Sequence, residues 1–379
     1  MKKMGCSILL LIFLFALTAC NASDEEKNPI DKEETVATSK DNAKPSVKGV
    51  RNVDVVNTHG SIEGLERMQN FYHNVQNGIS SELRIVQYTE EGDPMVKDLT
   101  YNGDSLQVQY DTTRDNFGNG RISKINCSNM IEEVNPTNTS YIATDCDEGI
   151  YGKDSILVIN YNMKKQDLFE FELKYGVNLD NEVNTKTNKV KKVLNTMETE
   201  VISDFVLASH VKQEVYKKLV MTNYLEVKDL KATCDSNEAM NYYLKVYING
   251  AQRDYHWSNC DRSSDGKNFT GIAEYIIQQA EIKQAANSET EIQGYILQMK
   301  DDTLLIGVDL NILDYESLKD EIQHINLSAY VFDFISLEGV KTDEFRIGDK
   351  IEATIKGSIT GSNPGRAQVK GIKKLYITN

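Results

Sequence analysis

Nothing in this sequence is long and apolar enough to cross a bilayer. A spanning helix needs about 20 consecutive apolar residues. The apolar part of the longest uncharged run, Met4 to Ala19, falls short, and its dense core is only Ile8 to Leu17. A basic excess is missing too: 42 Lys and Arg stand against 57 Asp and Glu, for a formal net charge of −15. That argues against a nucleic-acid binder, which needs a basic face, and against electrostatic adhesion to anionic lipid. Acidity favours solubility and cationic partners. Catalytic signatures are also absent, with no G-x-S-x-G elbow, no H-E-x-x-H and no G-x-x-x-x-G-K-[ST] loop. The histidines, His59, His73, His210, His256 and His324, are scattered. No C-x-x-C pair exists, which argues against a four-Cys metal site.

What is present begins at the N-terminus. Lys2 and Lys3 precede the short apolar run, which stops at Leu17-Thr18-Ala19-Cys20. A positive segment, a brief apolar segment and a small-residue stop predict a secretory signal peptide over residues 1–19. Leu17-Thr18-Ala19-Cys20 resembles the lipobox of bacterial lipoproteins. The resemblance implies that Cys20 is lipidated with a diacylglyceryl group and palmitate-type acyl chains. It also implies that the chain is cut before Cys20 and that the protein sits on the extracytoplasmic face of the cell membrane. The alternative is an ordinary signal peptide with an incidental cysteine. Each buried methylene contributes roughly 0.8 kcal/mol and one chain binds only marginally, so two chains make a durable anchor. Cleavage removes Lys2 and Lys3 and takes the net charge from −15 to −17.

Residues 20–49 read as a disordered acidic tether. Asn21 to Gly49 holds no aromatic residue and carries charges of both signs, so it buries too little to fold. A flexible coil of these 29 residues reaches about 30 Å. With a Debye length of about 8 Å, that lifts an acidic body clear of an acidic membrane.

Folded sequence begins near Val50. Ile62, Leu65, Met68 and Tyr72 fall at helical spacing, with Ser61 as the expected N-cap. LRIVQY, PMVKDLTY and SLQVQY follow as strands, and Asn102-Gly103 predicts a two-residue turn pairing Leu99 with Leu106 and Met95 with Tyr110. SILVINYN and LFEFELKY read as a hairpin, and Val190–Phe205 shows helical spacing over a β-branched composition. A second Asn-Gly, Asn249-Gly250, pairs Tyr242 with Trp257, Leu244 with Tyr255 and Lys245 with Asp254, placing one face in the core and opposing charges on the other. Helices are expected over Val211–Met221 and Phe269–Ile282. The fold class is therefore α+β: two helix-plus-antiparallel-sheet modules, 50–180 and 181–286, followed by a different texture over 287–379. There EIQGYILQMK, TLLIGVDL, DYESLKDEI, NLSAYVFDFI, KIEATIKGSI and QVKGIKKLYI give about five strands and one helix. Gly294 and Gly357 sit where a small barrel bends, which points to an OB-like β-barrel able to fold by itself.

FRIGDKIEATIKGSITGSNPGRAQV, residues 345–369, resembles the closing segment of the YobA-like domain-of-unknown-function family 3221. NVDVVNTHGSIEGLERMQNF with LRIVQYTEEGDPMVKDLTYNG and YDTTRDNFGNG resembles domain-of-unknown-function family 4362. Both resemblances imply secreted or lipid-anchored proteins of spore-forming Gram-positive bacteria. Neither brings a catalytic residue or a cofactor.

Several local constellations compete with plainer roles. His59 and Glu63 could face one another as metal ligands, but a capping or surface role is simpler. Asp261, Ser263, Asp265 and Gly266 match the first half of a calcium loop, yet position twelve is Ile272 where a bidentate Glu belongs; a polar turn is the plainer reading. Asp111 to Gly120 is a ligand-type loop or ordinary turn chemistry. Trp257 is a stacking platform or core, and the register favours core. The body cysteines, Cys127, Cys146, Cys234 and Cys260, are even in number and extracytoplasmic, which predicts disulfides. Proximity favours Cys127–Cys146 and Cys234–Cys260, while free thiols remain the alternative. The function read from the sequence is a membrane-tethered module that binds a protein or envelope ligand. The alternative is a cell-wall or peptide hydrolase with an unrecognised carboxylate site.

Overall fold

The computed structural model of the chain describes residues 49–234, 239–282, 290–322, 327 and 330–376. Cys20, the tether, His324 and the composition shift near residue 287 lie outside them.

The first sheet has the strand order β2-β1-β3-β4-β5-β6. Its strands are β1 (Val55–Thr58), β2 (Ser61–Glu63), β3 (Ser81–Tyr88), β4 (Pro94–Tyr101), β5 (Leu106–Asp111) and β6 (Ile122–Cys127). It is not wholly antiparallel, because β1 runs parallel to β3. Ser61 and Ile62 pair with Thr58 and Asn57 as β2, so the expected N-cap is a strand residue. Helix α1 (Leu65–Gln76) starts after Gly64, whose φ is 74°. A Cβ at Gly64 would lie 2.1 Å from the Asp54 carbonyl oxygen, so only glycine lets strand and helix pass this closely. Leu65, Met68, Phe71 and Val75 then face the core.

The Asn102-Gly103 turn differs from expectation. Leu99 pairs with Val108, and Tyr101 with Leu106, leaving four residues in the loop. Asn102 Oδ1 accepts the backbone N–H groups of Asp104 and Ser105, at 2.9 and 2.8 Å, so an Asx turn replaces the two-residue turn. The partner moves by two positions, which keeps every side chain on its expected face.

A small sheet follows, ordered β7-β8-β9: β7 (Asn129–Val134), β8 (Asn138–Thr144) and β9 (Lys153–Asn160). The next sheet is ordered β13-β12-β11-β10-β14-β15. It comprises β10 (Phe169–Gly176), β11 (Asn181–Asn184), β12 (Lys189–Val193), β13 (Thr199–Ser203), β14 (Asn241–Ile248) and β15 (Ala251–Ser258). SILVINYN and LFEFELKY are thus β9 and β10 of different sheets, not one hairpin. The helical spacing of Val190–Phe205 belongs to the β12–β13 hairpin; its β-branched residues are worth more on a pleat than on a helix. The Asn249-Gly250 turn has both residues at positive φ, 47° and 82°, and its register pairs Tyr242 with Trp257, Leu244 with Tyr255 and Lys245 with Asp254. Tyr242 and Trp257 stack at 5.1 Å. Helices α2 (Ser209–Met221) and α3 (Ser264–Glu281) pack on this sheet, Tyr216 against Phe169 and Phe269 against Tyr255.

One buried apolar cluster contains Phe71 and Leu99 of the first sheet region, Tyr141 and Ile159 of the second, and Trp257 and Phe269 of the third. The two expected modules therefore share a core. The sheet of β10 and β11 spans the 180/181 divide between them.

The C-terminal strands pair in a closed ring, β16-β17-β18-β20-β19. They are β16 (Thr290–Lys300), β17 (Thr303–Val308), β18 (Phe334–Glu338), β19 (Lys350–Lys356) and β20 (Gly365–Lys374), with helix α4 (Ile312–Leu318) between β17 and β18. The ring has its own core, including Ile296, Leu304, Leu337 and Ile351. A Cβ at Gly294 would meet the Gly307 carbonyl oxygen at 2.3 Å, which is how β16 and β17 close up at this bend. Gly357 ends β19 at φ 83°. The expected NLSAYVFDFI strand begins only at Phe334.

Candidate functional site

The hairpin of β7 and β8 fastens the body to the barrel. Its turn, 135–137, and the start of β8 carry small polar residues that meet β17 and the residues after it. Thr137 Oγ1 donates to Asp309 Oδ2 at 2.9 Å, Asn138 Nδ2 to the Asp309 carbonyl at 2.9 Å, and Asn135 Nδ2 to the Leu310 carbonyl at 3.3 Å. Beside them Glu133 is 2% exposed. It accepts Lys350 Nζ at 2.6 Å, Tyr295 Oη–H at 2.8 Å and the Ile312 N–H at 2.7 Å. A buried carboxylate needs such complete pairing to stay charged. Asn311 caps α4 with a capping box and also donates to Ser140 Oγ at 3.2 Å.

Next to this junction opens a cleft of about 590 Å³. One wall is the body: Thr137, Lys164, and His210 and Gln213 from the start of α2. Gln213 is held rigid, its Nε2 donating to the Pro136 and Tyr161 carbonyls at 3.1 and 2.7 Å. The other wall is barrel: Ile292, Asp309, Phe332, Asp333, Phe334 and Ile359 among others. Three carboxyls, Glu291, Asp309 and Asp333, line the space together with Lys164 and His210. Burial pushes the Asp309 carboxyl above its ordinary range; the Thr137 hydroxyl, Lys164 and Lys350 counter this, and Asp333 adds to it. Only one Asp309 oxygen has a side-chain donor among the described residues. Chemically the cleft offers an under-compensated carboxyl beside apolar surface.

The residues singled out in the sequence lie elsewhere. Cys127 bonds Cys146, and Cys234 bonds Cys260. The first bond closes a loop containing the whole β7–β8 hairpin. His59 sits at φ 50° in the β1–β2 turn, while Glu63 ends β2. Among the described residues no group of three His, Cys, Asp or Glu could hold a metal ion. Asp261 accepts the Lys231 N–H at 2.8 Å and Ser263 Oγ–H at 2.7 Å, and Ser263 caps α3, so the calcium-like stretch is helix-start chemistry. In the 111–120 loop, Asp111 bonds Thr113 and Arg114, and Asn116 bonds Asp93. Trp257 is fully buried.

Sequence reasoning missed Glu133, Asp309, Asp333 and Lys350. One signal was available: NMIEEV and NTSYIAT flank Asn135-Pro136, a turn-forming pair between two strand-like runs.

Residues 52–142 match the model of a domain of unknown function, DUF4362. Residues 293–375 match that of a protein of unknown function, DUF3221. No curated protein matches the chain. Among solved structures it is similar to a crystal structure of a yobA protein from Bacillus subtilis subsp. subtilis str. 168, at 18% identity over 24% of this chain and 99% of that one, with a TM-score of 0.19. It is also similar to the NMR solution structure of Bacillus subtilis YobA 21-120, at 15% identity over 25% of this chain and 89% of that one, with a TM-score of 0.20. The cleft draws on both matched segments and on the stretch between them.

Proposed function

We propose that the protein is a membrane-tethered, extracytoplasmic lipoprotein that binds an envelope ligand in the cleft between body and barrel. Cys20 carries the diacylglyceryl anchor, and residues 20–49 hold the folded part away from the bilayer. The barrel acts as an OB-like module that supplies one wall. The observation that carries the reading is Asp309, a desolvated carboxyl that lines the cleft beside Phe332, Phe334 and Ile359 and, among the described residues, has no cation within ion-pair distance. A ligand bearing an ammonium group on an apolar body supplies that charge and covers Phe332 and Ile359. The chain's own acidity draws such a ligand in.

Calorimetric titration of the whole chain with phenethylamine, a minimal probe of this chemistry, tests the reading. Saturable binding that weakens at least tenfold in Asp309→Asn supports it. Binding equal in the two proteins, or none, overturns it.

A second reading rests on the same residue. A carboxyl with a raised pKa near a second carboxyl, Asp333, has the attributes of a general acid, so the cleft is also suited to hydrolysis of wall or peptide bonds. Release of fragments from cell wall by the wild type and not by Asp309→Asn distinguishes it from binding alone.

A further inference from the structure

β9 is the edge of its sheet, with β8 on one side and, among the described residues, no strand on the other. The Tyr161 N–H donates to the Thr137 carbonyl at 2.8 Å, and the same register pairs Ile159 with Thr139 and Leu157 with Tyr141. Backbone groups of successive strand residues point to opposite sides. Those of Val158 and Asn160 therefore point away from β8, and no described residue pairs with them.

A groove of about 460 Å³ runs along this edge, and Lys97 of β4 lies in it. The register shift between Tyr141 and Ile142 puts an extra residue in β9. There Lys97 Nζ donates to the carbonyls of Ser155 and Ile156, at 3.1 and 2.8 Å. A lysine aimed at an edge is a device for blunting it, yet this one covers only the end of β9 nearest Ser155. Burial holds its amine down to about 8, against the pull of Asp154. Tyr110 Oη donates to Asp154 and engages that carboxylate from β5. His59 and Glu90 line the same groove.

We propose that this groove takes the C-terminal residues of an extended peptide, added antiparallel to β9 as a fourth strand with its carboxylate on Lys97. The direction follows from charge. A peptide antiparallel to β9 runs from Asn160 towards Ser155, so its C-terminal carboxylate arrives at the lysine. A parallel peptide brings its ammonium end to the same cation. Main-chain bonds from Val158 and Asn160 supply affinity, as in other strand additions. The site is separate from the body–barrel cleft and stands or falls independently of it.

The test uses the whole chain and a randomised pentapeptide pool with free C-terminal carboxylates, set against the same pool amidated. Retention read by mass spectrometry should favour the free acids at least tenfold and fade as pH rises past about 8, where Lys97 loses its charge. Lys97→Gln should erase the preference. Val158→Pro removes an outward N–H without touching a bond to β8, so it should abolish retention in a folded protein. Equal retention of both pools, retention of neither, or full retention by Val158→Pro overturns the proposal and leaves Lys97 as an edge blunter alone.

Discussion

Glu133 of β7 and Lys350 of β19, 217 residues apart, meet in the interior with Nζ and Oε1 at 2.6 Å. Their side chains are 1% and 5% exposed. Tyr295 Oη–H and the Ile312 N–H complete the carboxylate's shell, so a single acid from the body organises three parts of the barrel. Removing one partner strands the other without water. Lys350→Met should therefore cost about 3–5 kcal/mol, read as a lower urea midpoint. Replacing both, Glu133→Leu with Lys350→Met, should recover part of the loss. A single variant as stable as the wild type contradicts this reading of the junction.

Asp309 has the opposite economy. Its carboxyl is raised by burial, so the folded state holds the proton more tightly than the unfolded chain. This group's contribution is fully present below the ordinary carboxyl value of 3.8 and is lost as pH rises through the raised one. Asp309→Asn keeps an oxygen to accept from Thr137 and cannot ionise. Urea midpoints should show the variant more stable than wild type at pH 7, with the gap closing towards pH 4. A gap that is constant with pH assigns the effect to something other than ionisation.

Much of this was legible because local chemistry and burial agree. At Asn249-Gly250 the turn residues and the Tyr242–Trp257 face specify one register, and the structure has it. At Asn102-Gly103 the same dipeptide yields to an Asx turn, because the Asn102 side chain can bond Asp104 and Ser105 directly. Ser61 looks like a cap, but β1 recruits it through Thr58. The junction was illegible for a different reason. Glu133 and Lys350 each read as an ordinary surface charge, and nothing local marks two residues that meet 217 positions apart. Asp309 is likewise one acid among many until the fold desolvates it.

The disulfides constrain loops of known length. Cys127 and Cys146 are 19 residues apart, and Cys234 and Cys260 are 26 apart. Replacing either pair by alanine should cost about 3 kcal/mol by loop entropy. The Cys127/Cys146 pair should do more, since its loop holds Glu133, Thr137 and Asn138. Hydrogen exchange at the barrel's Ile312 should rise in that variant and stay unchanged in the Cys234/Cys260 one. Equal effects would mean the hairpin docks without the crosslink.

Cys20→Ser removes the thiol that lipid transfer needs. Cells labelled with a fatty acid should show label on the wild-type protein and none on the variant, which should also process abnormally. Label on Cys20→Ser rules out the lipobox.

The most direct measurement of the central claim is amide chemical-shift mapping of the isotope-labelled soluble chain during phenethylamine titration. The account predicts saturable shifts at Thr137, Lys164, Asp309 and Phe332, on both walls of the cleft, with Asp309→Asn greatly reducing them. Shifts confined to other surfaces, or absent at saturating probe, would contradict it.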